Sequence, residues 1–183
     1  MTSGPQTIAR PSQTEHSPYY SRYVSLVPET DIFTTLQKQA EDMESLRGLS
    51  DEEACFRYAP DKWSIKQVLG HVMDTERIFA YRALRIARAD QTPLAGFEQD
   101  DYVRNGPFER VSMTELMNEY VAIRNATVSL FRHLSPEAWS RRGLANNNEV
   151  TVRALLYIIA GHERHHRQIL KEKYFPAMAT ASR

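Results

Sequence analysis

Four stretches of this chain carry apolar residues at alternating three- and four-residue spacings, the period that lines side chains along one face of an α-helix. The first spans about Thr30–Arg47, with Ile32, Phe33, Leu36, Ala40, Met43 and Leu46 on its stripe. The second spans about Ser64–Ala89, with Ile65, Leu69, Val72, Phe79, Ala83 and Ile86. It opens on a capping box, Ser64 with Gln67, bracketed by Trp63 and Val68 as a hydrophobic staple. The third spans about Ser112–Leu134, with Leu116, Tyr120, Ile123, Thr127, Leu130 and Leu134, and opens on the box Ser112 and Glu115. The fourth spans about Thr151–Tyr174, capped by Thr151, with Val152, Leu155, Leu156, Ile159 and Leu170 inward and Pro176 as its stop.

Four amphipathic helices of similar length bury their stripes only against one another, so the expected fold class is all-α, a four-helix bundle. Asp90–Arg110, with Pro93, Gly96, Gly106 and Pro107, reads as a long crossover loop. Short helical turns are expected from Ser50 and from Ser135-Pro136, and no strand is expected. The domain reading is a tail and lead-in over 1–28, the bundle over 29–176 and a C-terminal tail over 177–183. Residues up to about 15 are rich in Ser, Thr, Pro and Gln and read as flexible. Tyr19, Tyr20, Tyr23, Leu26 and Val27 are apolar enough to lie along the domain surface.

At 183 residues the chain suits one domain, and its formal net charge is zero, which argues against nucleic acid as a partner. The arginines at 77, 82, 85 and 88 read as a solvated helix face. No apolar run approaches the ~20 residues of a membrane span, and Met1–Tyr20 lacks the pattern of a signal peptide, so no membrane association and a cytoplasmic location are expected. Cys55 is the single cysteine, forms no internal disulfide and, with no histidine beside it in sequence, reads as structural or incidental rather than as a catalytic nucleophile.

Chemistry concentrates in the histidines. His162 and His166 are one helical turn apart and share a face with Ile159 and Leu170, whereas His165 is rotated away. Two inward imidazoles at this spacing form a ready metal chelate. A catalytic metal usually takes a third protein ligand, and His71, at the edge of the second stripe, is the best placed; His133 and His16 are weaker candidates. His162-Glu163-Arg164-His165-His166 also spells HExxH, but residues 167–183 hold no further histidine to complete a zinc-protease site. Glu163-x-x-His166 spells the ExxH of di-iron bundles, but no second copy exists. Glu76 and Glu163 fall on core stripes and are candidate catalytic carboxylates, with a salt bridge to an arginine as the competing reading for Glu76. Asp74 points away from the stripe.

The run Lys62-Trp63-Ser64-Ile65-Lys66-Gln67-Val68-Leu69-Gly70-His71-Val72-Met73-Asp74-Thr75-Glu76-Arg77, paired with His162-Glu163-Arg164-His165-His166-Arg167-Gln168-Ile169, resembles the DinB-like superfamily, especially its YfiT-like branch. The resemblance covers about residues 30–175. It implies a bundle with a long crossover and a divalent ion (zinc, nickel or iron) on His71, His162 and His166. It also implies a homodimer, a small-molecule substrate, and either of two activities. One is transfer of a low-molecular-weight thiol, as cosubstrate, to an electrophile; the other is hydrolysis by metal-activated water. Thiol transfer is the expected activity. A metal-holding protein without turnover is the remaining alternative. Trp63, the Asp90–Arg110 loop and Trp139 are the expected pocket walls.

Overall fold

The computed structural model describes residues 8–181; residues 1–7 and 182–183, parts of the expected tails, lie outside them. In chain order the helices are α1 (Ser21–Val24), α2 (Ile32–Met43), α3 (Asp51–Ala54), α4 (Ile65–Ala87), α5 (Gln99–Asn105), α6 (Met113–Arg132), α7 (Val152–Ile169) and α8 (Phe175–Ala181). Helices α2, α4, α6 and α7 form the four-helix bundle. In it α4 and α2 each pack on both α6 and α7, so the connections α2–α4 and α6–α7 cross the bundle diagonal. No described helix is long and apolar enough to cross a membrane.

The caps form as the sequence indicates. Ser64 Oγ accepts from Gln67 N at 3.2 Å and Gln67 Oε1 accepts from Ser64 N at 3.0 Å, satisfying two of the donors a helix start leaves open. Ser112 and Glu115 repeat the arrangement on α6, and Thr151 caps α7 by accepting from Ala154 N. Ser50 caps α3, and Pro136–Ser140 is a 3-10 turn.

The buried apolar residues form two clusters. One holds Ile32, Leu36, Phe79, Ile86, Phe131 and Leu155; the other holds Met43, Leu69, Met73, Leu116, Tyr120 and Leu170. On each bundle helix a buried polar residue lies in sequence between members of the two: Gln39 on α2, Glu76 on α4, Arg124 on α6 and Glu163 on α7. A polar layer therefore divides the core.

Several expectations are corrected. On α6 the core stripe runs through Arg124 and Phe131, while Ile123 and Leu130 are only half-buried. Arg124 lies inside because its partners, Glu76, Glu163 and the Leu36 carbonyl, are buried on other helices. Arg82, read as solvated, is buried as well. Strands do occur: β1 (Arg142–Ala145) and β2 (Asn148–Thr151) make an antiparallel hairpin, turned by Asn146 and Asn147 at φ 49° and 58°. Asparagine tolerates that left-handed backbone better than most residues, and two such positions in succession suit a tight hairpin. The Asp90–Arg110 crossover contains α5 and a 3-10 turn at Phe108–Arg110, and Leu94 pairs with the hairpin through Leu94 N to Leu144 O and Asn146 N to Leu94 O, both 2.9 Å.

The described part of the expected flexible tail is packed. Ile8 is buried and its carbonyl accepts from Tyr157 Oη at 3.0 Å. The Glu15 carboxylate accepts from Thr151 Oγ1 at 2.9 Å and from Arg153 Nε at 2.5 Å. Tyr23 and Val24 of α1 are buried against α7, where a Cβ at Gly161 would fall on the Tyr23 carbonyl well inside van der Waals contact. Polar composition suggested disorder; a few long-range bonds and apolar anchors tie the segment down. At the other end, Pro176 does not stop the fourth helix. A π-helical stretch, Leu170–Tyr174, widens the turn before it, and Phe175 N donates to Leu170 O. The wider turn relieves the clash a proline imposes on the carbonyl four residues back, and the chain continues into α8.

Candidate metal centre

Helix α4 carries His71, and α7 carries His162 and His166 one turn apart. Packing of α4 on α7 brings the three rings together, with centroids 4.5–4.9 Å apart. Nε2 of His162 lies 3.0 Å from Nε2 of His71 and 3.1 Å from Nε2 of His166. His71 and His162 are buried, and His166 is half-buried. His165 stays outside the triad, half-buried, its ring beside Tyr23 and His166. His16, on the packed N-terminal segment, bonds the Ser17 carbonyl, and His133 is exposed at the C-cap of α6.

All three imidazoles are held neutral. Burial lowers the His71 pKa to about 4. Burial also takes His162 and His166 well below the usual value, with neighbouring imidazoles and Arg22 adding to the effect. A neutral imidazole nitrogen has either one proton or one lone pair. His162 Nε2 faces two others, so it can serve one of the two contacts as a hydrogen bond and leaves the other unsatisfied. A cation between the three resolves all the contacts at once. Metal–nitrogen bonds of ~2.0–2.1 Å place ligand nitrogens about 2.9 Å apart at a right angle and about 3.4 Å apart in a tetrahedron; the two separations from His162 lie in that range, and the three donor atoms all lie within 4.8 Å of one another. The donor set fits a divalent ion.

Glu76 and Glu163 are held by one arginine. Arg124 Nε donates to Glu76 Oε1 at 2.9 Å and Nη2 donates to Glu76 Oε2 at 2.8 Å; Nη2 also donates to Glu163 Oε2. Arg124 Nη1 reaches the Leu36 carbonyl of α2 at 2.9 Å, and Tyr120 Oη donates to Glu163 Oε2 at 2.7 Å. All three charged side chains are about 2% exposed or less. The salt-bridge reading of Glu76 holds. Burial pushes the Glu163 carboxyl up, opposed by Arg124 and the Tyr120 hydroxyl. Glu163 Oε1 is buried with no hydrogen-bond partner among the described residues.

A cavity of about 320 Å³ opens on His71 and His162. Thr75, Phe79 and Arg82 of α4 line it, with Tyr20 and Tyr23 from the N-terminal segment, Phe97–Asp100 from the crossover, and Asn146 and Asn148 from the hairpin. The crossover is a wall as expected. Trp63 covers the triad from the other side, its ring 4.8 Å from His71 and stacked 6.5 Å from His166. Trp139 is not a wall: it is buried on Phe33 and Phe131 in the apolar core. Tyr20, Tyr23, Arg82 and the hairpin asparagines were not foreseen as site residues. The tyrosines stood out as too apolar for a tail, and the paired asparagines are a turn signal; Arg82 gave none.

Fold and site together define a mainly helical bundle in which three imidazoles gather beside a small cavity that two of them line. The chain belongs to the DinB superfamily, whose family model matches residues 35–170. It is 29% identical over 135 residues, 70% of this chain and 74% of the other, to a protein of Oceanobacillus iheyensis named "Putative metal-dependent hydrolase OB0413". A solved structure of YfiT from Bacillus subtilis, described as a probable metal-dependent hydrolase with an unusual four-helix bundle topology, is similar at TM-score 0.66 over 95% of this chain and 93% of that one. At 12% identity that likeness speaks to the fold alone.

Proposed function

We propose that this protein is a metal-dependent hydrolase of a small-molecule substrate, with one divalent ion held by His71, His162 and His166. The observation that carries the reading is the convergence of three neutral Nε2 atoms beside a cavity that His71 and His162 line, with those of His71 and His166 competing for the single hydrogen-bonding position of His162. The name of the Oceanobacillus relative supports hydrolysis, and neither comparison supports thiol transfer. A divalent ion bound by three imidazoles supplies a Lewis acid for a carbonyl and a nucleophile from water near neutral pH.

The chain's own residues do the rest. Burial keeps the imidazoles unprotonated and oriented. The Trp63 ring shields the triad on one side. Of the two candidate carboxylates, Glu76 has both oxygens engaged by Arg124, whereas Glu163 Oε1 has no hydrogen-bond partner among the described residues. Glu163, in the polar layer next to His162 rather than in the cavity lining, is thus the carboxylate left to take a proton, and Glu76 positions Arg124.

Elemental mass spectrometry of the purified protein tests the reading. About one divalent ion per chain is expected, lost in His71→Ala and in His166→Ala while far-UV circular dichroism keeps the helical signal. The loaded protein is then expected to hydrolyse small esters or amides. No bound metal after incubation with zinc, nickel and iron refutes the proposal.

A further inference from the structure

Arg82 is a buried charge that the triad and the polar layer leave unused. It is 3% exposed, against 1% for Arg124, yet the two are held differently. Arg124 meets two carboxylates. Arg82 meets none among the described residues. Its Nη2 donates to the Ala95 carbonyl at 2.7 Å, and its guanidinium lies over the Phe79 and Phe97 rings at 5.3 and 5.9 Å. A guanidinium has five N–H donors, and burying a cation without a counter-ion is costly. Burial pulls its pKa down, and the group acting in the other direction is the Tyr20 hydroxyl, not an acid.

Its position gives the charge a use. His71, Thr75, Phe79 and Arg82 are spaced by four, four and three residues, so they share one face of α4, and all four line the same cavity. Arg82 stands ~16 Å along the helix axis from His71, and its side chain leans back towards His71. Between them Thr75 is 3% exposed, and its hydroxyl has no hydrogen-bond partner among the described residues. From one end to the other the α4 wall offers an imidazole, an unpartnered hydroxyl, an aromatic ring and an unpaired cation. Glu98 and Asp100 line the exposed rim and repel a second negative charge.

We propose that Arg82 sets substrate specificity in this cavity by binding the single carboxylate of a small acyl substrate, such as an N-acyl amino acid, whose scissile bond reaches the histidines. The inference rests on the hydrolase reading for what happens at the far end. There water adds across the amide, hydroxyl to the acyl carbon and proton to the leaving amine, and the carboxylate on Arg82 is unchanged.

Calorimetric titration of the zinc-loaded full chain with hippurate and with its neutral counterpart hippuramide tests this without needing turnover. Hippurate is expected to bind at least tenfold more tightly, and Arg82→Gln is expected to erase the difference. Arg82→Lys, which keeps the charge but loses the planar fork, is expected to retain part of it. Equal binding of the two ligands by the unaltered protein, or no binding of either, overturns the proposal even if the variants fail to fold. A preference that persists in Arg82→Gln also overturns it, because the carboxylate would then be seated elsewhere. Hydrolysis of hippurate is followed in parallel. A binding preference without hydrolysis sinks the hydrolase reading and leaves Arg82 as the anion site. Hydrolysis without a preference does the reverse.

Discussion

Replacing Arg124 with methionine leaves Glu76 and Glu163, each about 2% exposed or less, in the polar layer with no cation. Breaking a buried ion pair by removing one partner costs about 3–5 kcal/mol, and here one removal strips two carboxylates. A domain stability of about 5–15 kcal/mol makes that a large fraction. For a chain of this length the melting temperature should fall by about 6–20 °C. The loss should also depend on pH. Burial already pushes the Glu163 carboxyl above its usual value, and removing the guanidinium that opposes this raises it further. Its stability contribution is then fully present below the usual carboxyl value of 4.5 and is lost as pH rises through the raised value, so the deficit should be smaller at pH 5 than at pH 8. Combining Arg124→Met with Glu76→Met and Glu163→Gln, which keeps an acceptor for Tyr120, should recover most of the loss. Urea denaturation of all variants at both pH values is the assay. A single-variant loss under about 1 kcal/mol, or one indifferent to pH and to the companion changes, would show that water reaches the carboxylates and that the reasoning fails.

Gly161→Ala should lower the melting temperature by the equivalent of about 1–3 kcal/mol and speed proteolysis between residues 17 and 24, because its Cβ meets the Tyr23 backbone; an unchanged digestion pattern counts against the docking of α1. The Glu15 carboxyl is raised by burial, but bonds from Arg153, Ser12 and Thr151 outweigh this and hold it at about 2. Its contribution is therefore present above pH 4.5 and lost as pH falls towards 2. Glu15→Gln should melt lower than the unaltered protein at pH 7, with the gap narrowing by pH 3; a constant gap refutes the assignment. In Thr75→Val the methyl replaces a hydroxyl that has no hydrogen-bond partner among the described residues, so thermal melting should show stability unchanged or raised, whereas a loss beyond about 1 kcal/mol would refute that reading.

The parts legible in the sequence were those set by local geometry. The boxes Ser64/Gln67 and Ser112/Glu115 are read over one turn, and the α4 stripe from Ile65 to Ile86 is buried as its period demands. The pairing of His162 with His166 follows from helical pitch, and His71 joined them because the edge of a stripe still faces a neighbouring helix. What escaped depends on distant partners. Arg124 is inside because of residues 39 and 48 positions away, and no periodicity rule places an arginine in a core. Arg82 escaped for the same reason. The hairpin strands have four residues each, too short for alternation to register, and composition hid the anchoring of Glu15 by residues more than 130 positions downstream.

The π-helical stretch at Leu170–Tyr174 amounts to one residue inserted into an otherwise regular helix. Everything beyond it is out of phase with α7 by one residue, about 100° about the axis. Tyr174, the last residue of that stretch, donates to the Trp63 carbonyl at 2.6 Å, and Trp63 carries the ring that covers His71 and His166. The aromatic cover of the triad is thus clocked by the wide turn. Deleting one residue between 170 and 174 would restore a regular helix and swing Tyr174 off the Trp63 backbone, with none of the three histidines altered.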